Sequence, residues 1–442
     1  MLEIHALTSE RFRRLSKEGA WVVVGQAAAV LGSLAGVRLL TELLDPAAYG
    51  ELALGMTVAT LVNQTVLGPL GNGVTRFYAP AQEKGDIGGY LYAVRRLVLS
   101  ATGIIILMAL LAVAGLLFAG RGEWIGIAIA ALIFAILSGC NSILSGMQNA
   151  ARQRSIVALH QGMESWARFL VAASLLVWLG ATSTVAMVGY AVAVMLVLGS
   201  QYVYFRKIVH ENVDGADKGK SWRDQIWKYS WPFASWGVFT WAQLASDRWA
   251  LELFATTQEV GFYAVLFQLG YYPLSMATGM AMQFLAPIFY QRAGDAIDSQ
   301  RNASVDSLSW RLTRLALGVT GAAFLLALLF HAQIFQVFVA KEYVSVSHLL
   351  PWMLIAGGLF ASGQTIALNL MSQMKTHTMM AAKIITALLG VTFNLVGAYC
   401  YGTTGIVIAG VLFSALYFLW MVVLSKKARE APVRTVENGI QT

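Results

Sequence analysis

The chain has 442 residues, of which 57% are hydrophobic and only 12% are charged, and its formal net charge is +8. The mean hydropathy of +0.63 excludes a soluble enzyme and predicts a polytopic membrane protein. The positive charge does not indicate nucleic-acid binding, because it lies in short loops between apolar stretches, where it can face anionic lipids.

Apolar windows of about 20 residues predict twelve membrane-spanning helices. Taken in chain order, the predicted spans are 20–44, 49–77, 91–119, 124–148, 156–179, 184–205, 227–254, 260–289, 309–338, 349–374, 378–401 and 406–424. Residues 1–19 are polar and basic and run directly into a span of full length, which predicts a cytoplasmic tail rather than a cleaved signal peptide.

The distribution of arginine and lysine predicts the orientation. The connections on one side of the membrane carry nearly all of the loop cations, whereas the other side carries only Arg121 and Lys341. Both termini are therefore expected in the cytoplasm. The expected domains are a tail (1–19), an N-lobe with helices 1–6 (20–206), a cytoplasmic linker (207–226), a C-lobe with helices 7–12 (227–425) and a second tail (426–442).

The two predicted lobes carry an internal repeat. The third span of each lobe opens on a similar stretch, which begins at Arg96 in the first and at Arg314 in the second and keeps the same Thr and Gly spacing. Six spans per lobe put both lobes in the same orientation. The predicted fold is all-α, with two parallel six-helix lobes around a central cavity. Pro69 and Pro273 lie within the second span of each lobe and predict helix irregularities there.

Two arginines inside predicted spans share an Arg-x-x-x-Glu pattern. Arg38 and Glu42 lie in the first span, and Arg248 and Glu252 lie in the seventh. An arginine at the centre of a span costs roughly 2.5–3.5 kcal/mol, so it needs a partner or a wet cavity. One interpretation is two local i,i+4 ion pairs near helix ends; the other is a pair of equivalent arginines that face each other across the cavity. Asp247 needs polar surroundings of its own.

A third intramembrane arginine, Arg168, lies four residues after Glu164. This spacing favours a local ion pair over a substrate contact. Gln26 and Asn63 belong to a larger set of polar side chains within the spans, which favours a polar lumen.

Several classes of protein are disfavoured. The predicted non-cytoplasmic loops are too short to hold the catalytic residues of a membrane glycosyltransferase, and no Walker A motif is present. The six histidines show no metal-ligand spacing. We therefore expect no enzymatic activity, no resident cofactor and no metal site.

The chain resembles the polysaccharide transporter family, the Wzx-type flippases for O-antigen and exopolysaccharide of the multidrug/oligosaccharidyl-lipid/polysaccharide superfamily. The residues that carry this resemblance are the basic N-terminal tail, Arg38 in the first span, Leu44-Asp45-Pro46-Ala47-Ala48-Tyr49-Gly50, Thr75-Arg76-Phe77, Asp247-Arg248 and Val260-Gly261-Phe262-Tyr263. Twelve spans match this branch rather than the fourteen-helix peptidoglycan precursor flippases.

The resemblance implies that the chain moves an isoprenoid (undecaprenyl) diphosphate-linked oligosaccharide across a bacterial inner membrane by alternating access, for polysaccharide or lipopolysaccharide biosynthesis. Arg38 and Arg248 are the expected diphosphate clamp, with Arg168, Gln26 and Asn63 as further substrate contacts. Asp247, Glu42 and Glu252 are candidates for proton or sodium coupling. Expected partners are the lipid-linked substrate, membrane lipids, a polysaccharide polymerase and a chain-length regulator. The alternatives are a cation-coupled multidrug exporter and, less favoured, a membrane-embedded glycan polymerase or ligase.

Overall fold

The computed structural model describes residues 27–206, 219–294, 298–373 and 376–430. Within these ranges the chain is helical and contains no β-strand. The all-α class predicted from composition is confirmed.

Each predicted span corresponds to one helix or one arm of a helix. The first six are α1 (27–43), α2 (Pro46–Glu83), α3 (Ile87–Phe118), α4 (Ile125–Ala150), α5 (Arg154–Leu179) and α6 (Ser183–Arg206). The next four are α7 (Gly219–Phe254), α8 (Thr257–Leu266, Phe267–Tyr271 and Tyr272–Ala293), α9 (Ser299–Phe338) and α10 (Leu350–Ser372). The last helix, Thr376–Glu430, has non-helical backbone angles at Tyr401 and Gly402, and its arms before and after them are α11 and α12.

Eight helices of the described ranges are long and apolar enough to cross a membrane, with α11 and α12 counted as one. Two fully described helices, α7 and α8, fall outside this set. In α7 the stretch 229–246 is rich in tryptophan, serine and other polar side chains rather than in aliphatic ones. The chain is therefore a multi-pass membrane protein in which α7 and α8 are less apolar than the other described helices.

Capping residues explain where several helices begin. The Asp45 carboxylate accepts a hydrogen bond from the backbone N–H of Ala48 at 2.8 Å, and Pro46 occupies the first turn of α2. The Thr256 hydroxyl accepts one from the backbone N–H of Glu259 at 3.2 Å at the start of α8. The second helix of each predicted lobe thus begins at a capped turn.

The described chain divides into two compact units, Met1–Ala245 and Ser246–Thr442, and the boundary lies inside α7. Residues 219–226 of the predicted linker are the first turns of α7, and 207–218 lie outside the described residues. The predicted division into lobes at this linker stays a prediction.

In the first unit α7 packs along α2. The Trp222 ring meets Phe77 edge-on, and the Trp241 indole N–H donates to the Thr57 carbonyl at 2.7 Å. Between these contacts, a Cβ at Gly237 would lie 1.9 Å from the Gln64 carbonyl oxygen, so only glycine permits this approach of the two backbones.

In the second unit the core lies between α10 and the last helix. Its buried side chains are Ile366, Ala367, Leu370, Met379, Ala382, Tyr417 and Met421. Phe360 and Phe413 stack beside this cluster at a centroid distance of 5.9 Å. The core is therefore apolar and aromatic.

The two prolines predicted to disturb their helices follow matching π-helical turns. α2 contains the turn Asn63–Leu67 and α8 contains the turn Phe267–Tyr271, and each turn ends two residues before its proline. Proline cannot donate a backbone hydrogen bond, and a π turn re-registers the ladder locally. In the first unit Gly139 of α4 packs on the π turn of α2, and in the second Gly357 of α10 packs on that of α8. These two glycines are separated along the sequence by as many residues as Arg96 and Arg314, which supports the internal repeat.

Candidate functional site

Arg38 lies in the last turns of α1, where it forms an i,i+4 ion pair with Glu42. The side chains of the two residues are 40% and 48% exposed. The pattern of residues four apart therefore predicts this contact correctly. Because both groups remain accessible, the pair neutralises the arginine without burying it.

Arg248 lies in the part of α7 that belongs to the second unit. Its guanidinium lies 3.2 Å from the Asp247 carboxylate, and the side chains of these two residues are only 13% and 9% exposed. The second Asp247 oxygen accepts a hydrogen bond from the Tyr263 hydroxyl at 2.7 Å. The Arg248 guanidinium also lies 4.6 Å from the centroid of the Phe267 ring, within cation–π range. This buried cluster provides the polar surroundings that Asp247 was expected to need.

Glu252 contacts a residue that the four-residue spacing from Arg248 does not predict. Its carboxylate accepts a hydrogen bond from the Thr257 hydroxyl at 2.8 Å, at the turn into α8. Glu252 therefore helps to fix the connection between α7 and α8.

Arg168 lies near the middle of α5, about 16 Å from its last residue at 1.5 Å per residue. Its guanidinium lies 5.6 Å from the Tyr190 ring centroid and 5.9 Å from that of Phe169. Its Nε atom is buried and has no hydrogen-bond partner. Arg168 is thus held by aromatic rings.

The predicted pair between Glu164 and Arg168 does not form within the described residues, where no ion pair joins the two side chains. Glu164 instead accepts a hydrogen bond from the Asn141 amide of α4 at 2.8 Å. That expectation was wrong because a partner on another helix holds the carboxylate. No carboxylate within the described ranges forms an ion pair with Arg168.

Asn63 begins the π turn of α2, and its amide donates to the Ser138 hydroxyl of α4 at 3.1 Å. Its oxygen also closely approaches Gly139. Asn63 therefore joins two helices within the first unit. Gln26 lies outside the described residues.

Each unit contains one carboxylate that joins two of its helices and that the sequence pattern does not single out. Glu51 of α2 accepts a hydrogen bond from the Ser183 hydroxyl at the start of α6. Glu259 of α8 accepts one from the Thr403 backbone N–H at 2.6 Å, directly after the break at Gly402. Both are charge-assisted bonds at the beginning of a helix or helix arm, where the backbone dipole favours an anion. The described residues contain no group of three or more histidine, cysteine or acidic side chains arranged to hold a metal.

Comparison with known proteins identifies the family. A model of the family described as "Polysaccharide biosynthesis protein" matches residues 15–292, which is more than half of the chain. The chain belongs to this family. The family expected from Arg38, the stretch 44–50 and the sequence Asp247-Arg248 is therefore confirmed. A search of curated proteins finds no match.

Solved structures of membrane transporters share the fold. The lipid II flippase MurJ in an inward closed conformation is 12% identical with a TM-score of 0.68, and the alignment covers 92% of this chain and 87% of that one. A multidrug resistance MATE family transporter of the MOP superfamily, in an inward-facing conformation, is 14% identical with a TM-score of 0.62, covering 92% and 96%. The Vibrio cholerae MATE transporter VcmN in its bent form is 14% identical with a TM-score of 0.54, covering 94% and 98%. At these identities the likeness establishes the fold alone.

Proposed function

We propose that the chain is a flippase that moves an isoprenoid diphosphate-linked oligosaccharide between the two leaflets of a bacterial inner membrane, for O-antigen or exopolysaccharide synthesis. The family description and the transporter fold support this proposal. One observation carries it further. Near the middle of α5, Arg168 keeps a positive charge that no ion pair with a described carboxylate neutralises.

The energetics of Arg168 favour an anionic ligand. An arginine near the centre of a span costs roughly 2.5–3.5 kcal/mol, and cation–π contacts return about 0.5–2 kcal/mol. The rings of Phe169 and Tyr190 therefore offset only part of the cost. A diphosphate provides oxygens that match the planar donors of a guanidinium.

Arg38 and Arg248 remain in the proposal as the clamp that the sequence predicts, with a modified role. Each already contacts a carboxylate, Glu42 or Asp247, and each lies within the last turns of its helix. An incoming diphosphate must compete with that carboxylate. The sites of Arg38 and Arg248 are therefore suited to exchanging a bound carboxylate for the diphosphate, whereas Arg168 is suited to retaining the diphosphate.

The acidic residues supply the proposed coupling. Protonation of Asp247, or cation binding beside it, weakens its hold on Arg248 and frees the guanidinium for phosphate. Glu42 acts in the same way on Arg38, and Glu252 acts through the turn between α7 and α8.

Asn63 and Gln26 are proposed as polar contacts for the substrate. We propose that both termini lie in the cytoplasm and that the partners are membrane lipids, a polysaccharide polymerase and a chain-length regulator.

The experiment is a leaflet-resolved assay of lipid-linked glycan in a strain that lacks the chain, complemented with variants. Deletion should leave the lipid-linked glycan on the cytoplasmic leaflet. Arg168→Ala should reduce translocation about 10–100-fold, since hydrogen bonds to charged groups contribute about 1.5–3 kcal/mol. The matched control is Arg223→Ala, because Arg223 is an exposed arginine on α7 that contacts its neighbour Asp224. Normal translocation in the deletion strain would overturn the proposal.

A cation-coupled multidrug exporter is the second candidate, favoured by the buried carboxylate of Asp247 and by the fold shared with multidrug transporters. A cationic drug would need that carboxylate and would be repelled by Arg168. If this function is correct, Arg168→Ala should preserve or improve drug resistance, and Asp247→Asn should abolish it. The same two variants in the glycan assay separate the candidates.

A further inference from the structure

Glu164 lies well inside the predicted span of α5 and forms no ion pair within the part of the chain that the structure describes. Arg154 begins this helix, so Glu164 lies about 15 Å along it at 1.5 Å per residue. The Glu164 carboxylate accepts a hydrogen bond from the Asn141 amide of α4 at 2.8 Å. An ionised carboxylate within a span is costly unless another group neutralises it. The Asn141 amide carries no charge, so Glu164 still lacks a neutralising group.

The Asn141 side chain indicates what that group is. Asn141 is only 6% exposed, and its Oδ1 atom is buried and has no hydrogen-bond partner. A buried acceptor without a donor is costly. When Glu164 binds a proton, it gains an O–H donor. The acid and the amide then exchange two hydrogen bonds, one in each direction, and Oδ1 receives the donor that it lacks.

A row of polar side chains connects Asn141 with the end of α4. Ser145 and Gln148 follow Asn141 at helical spacing, and the Gln201 amide of α6 donates to both, at 2.8 Å and 2.7 Å. Gln148 Nε2 and Gln201 Oε1 are buried and have no hydrogen-bond partner. Such groups are the usual partners of ordered water. These four residues, called the polar row below, give Glu164 a polar route to the connection between α4 and α5, which the sequence predicts to be cytoplasmic.

The charged and titratable residues around Glu164 do not replace the proton. His160 and Arg168 lie one turn before and one turn after it on α5. The His160 ring lies 2.8 Å from the Ile156 carbonyl oxygen through Nδ1 and 3.3 Å from the Ser200 hydroxyl through Nε2, contacts that a neutral imidazole satisfies. None of the titratable residues on the described helices that pack on α5 forms an ion pair with Glu164. They are Cys140 on α4, Tyr190, Tyr202, Tyr204 and Arg206 on α6, and Arg38 and Glu42, which pair with each other, on α1.

We propose that Glu164 and Asn141 form a proton-binding site that controls the charge available at Arg168. A proton from water in the polar row binds a Glu164 oxygen and leaves by the same route. With Glu164 protonated, Arg168 keeps its charge for an anion. With Glu164 ionised, the two side chains carry opposite charges at a four-residue spacing, at which such pairs attract. The carboxylate then competes with the anion for the guanidinium.

This inference deepens the proposed function and rests on it for its consequence. It makes retention of the diphosphate at Arg168 depend on a proton bound in the first unit, in addition to the proposed coupling at Asp247. The existence of the proton site does not depend on what the chain transports.

A first experiment tests the control of Arg168. The probe is an isoprenoid diphosphate without sugar, titrated into the full-length protein in lipid nanodiscs over a range of pH. Glu164→Gln offers Asn141 both an acceptor and a donor, as the protonated acid does, so it should fold normally. Where wild-type Glu164 is ionised, the variant should bind about tenfold more tightly, and the difference should vanish as the pH falls. Equal affinities at every pH would overturn the inference.

Two further variants separate this control from a general effect of charge. Glu51→Gln is the matched control, because the Glu51 carboxylate lies in the same unit and also accepts a hydrogen bond from a polar side chain, that of Ser183. It should leave the affinity unchanged. In an Arg168→Ala background, Glu164→Gln should no longer strengthen binding. A tenfold gain in that background would contradict control through Arg168.

A second experiment observes the proton without a ligand. Infrared difference spectra of the full-length protein between low and high pH should contain the C=O band of a protonated carboxylic acid that Glu164→Gln removes. Asn141→Leu should shift this band, because the acid loses its amide partner, whereas Glu51→Gln should leave it in place. Identical spectra for the wild type and Glu164→Gln would show that Glu164 binds no proton.

Failure of this inference is distinguishable from failure of the proposed function. Normal translocation in the deletion strain would refute the flippase, while the infrared band would still establish the proton site. If translocation depends on the chain but the wild type and Glu164→Gln bind the diphosphate equally at every pH, only the control by Glu164 is refuted.

Discussion

Arg168 in the first unit and Arg248 in the second both lie in helices that the sequence predicts to span a membrane, yet their surroundings differ in one respect. Arg248 has a buried carboxylate, Asp247, at 3.2 Å. Arg168 contacts the rings of Phe169 and Tyr190, and its Nε atom has no hydrogen-bond partner. The charge of Arg248 is therefore balanced by a neighbouring carboxylate, whereas no carboxylate of the described residues forms an ion pair with Arg168.

The largest loss of thermal stability is expected from removing Asp247, the carboxylate that pairs with Arg248. Asp247→Ala removes the carboxylate and leaves the Arg248 guanidinium buried. Loss of one partner of a buried pair costs about 3–5 kcal/mol, so the melting temperature in detergent should fall sharply. Asp224→Ala is the control, because its pair with Arg223 is exposed. An unchanged melting temperature for Asp247→Ala would show that Arg248 does not depend on this carboxylate.

The next effect concerns the hydroxyl that orients Asp247. Tyr263→Phe keeps the ring near Arg248 and removes the 2.7 Å hydrogen bond to the carboxylate. A hydrogen bond to a charged group contributes about 1.5–3 kcal/mol, so a smaller loss of thermal stability is expected than for Asp247→Ala. Tyr202→Phe, on an exposed tyrosine, is the control. A loss as large as that of Asp247→Ala would mean that the hydroxyl holds more than this one bond.

Substitution of Arg168, which forms no ion pair with a described carboxylate, should not lower the thermal stability. Arg168→Leu removes about 0.5–2 kcal/mol of cation–π contact but also removes the larger cost of an arginine in a span. Thermal stability should therefore stay the same or rise slightly, while translocation falls. Such a separation is typical of a residue retained for function at the expense of stability. A destabilisation comparable to Asp247→Ala would assign Arg168 a structural role.

The smallest effect is expected for Glu42→Gln. The ion pair with Arg38 is nearly half exposed on both sides, and pairs of this kind contribute between zero and about 1 kcal/mol. The melting temperature should barely change. If translocation changes while stability does not, Glu42 acts on the charge of Arg38 during transport.

Much of the fold follows from the sequence because the length of an apolar run sets the length of a span. The spans predicted at 91–119 and 156–179 coincide closely with α3 and α5. The bend at Tyr401 and Gly402 coincides with the end of the predicted span 378–401, although the helix continues across it.

The candidate site was only partly predictable, because the spacing of residues along one helix indicates partners on that helix and not partners on other helices. Four-residue spacing predicts the pair of Arg38 with Glu42 correctly. The same rule fails for Glu164, which Asn141 holds from another helix. For Arg248 the long side chain folds back to its neighbour Asp247, a contact that helical angles between adjacent residues do not indicate. The rings around Arg168 come partly from α6 and require the tertiary structure.

The most direct test of the central claim is the binding of an isoprenoid diphosphate that carries no sugar to the full-length protein in lipid nanodiscs. The wild type should bind it with an affinity that falls as the salt concentration rises. Arg168→Ala should weaken binding about 10–100-fold, in keeping with the loss of a charged hydrogen-bonding partner. Equal affinity for the wild type and Arg168→Ala would contradict the assignment of the diphosphate to Arg168.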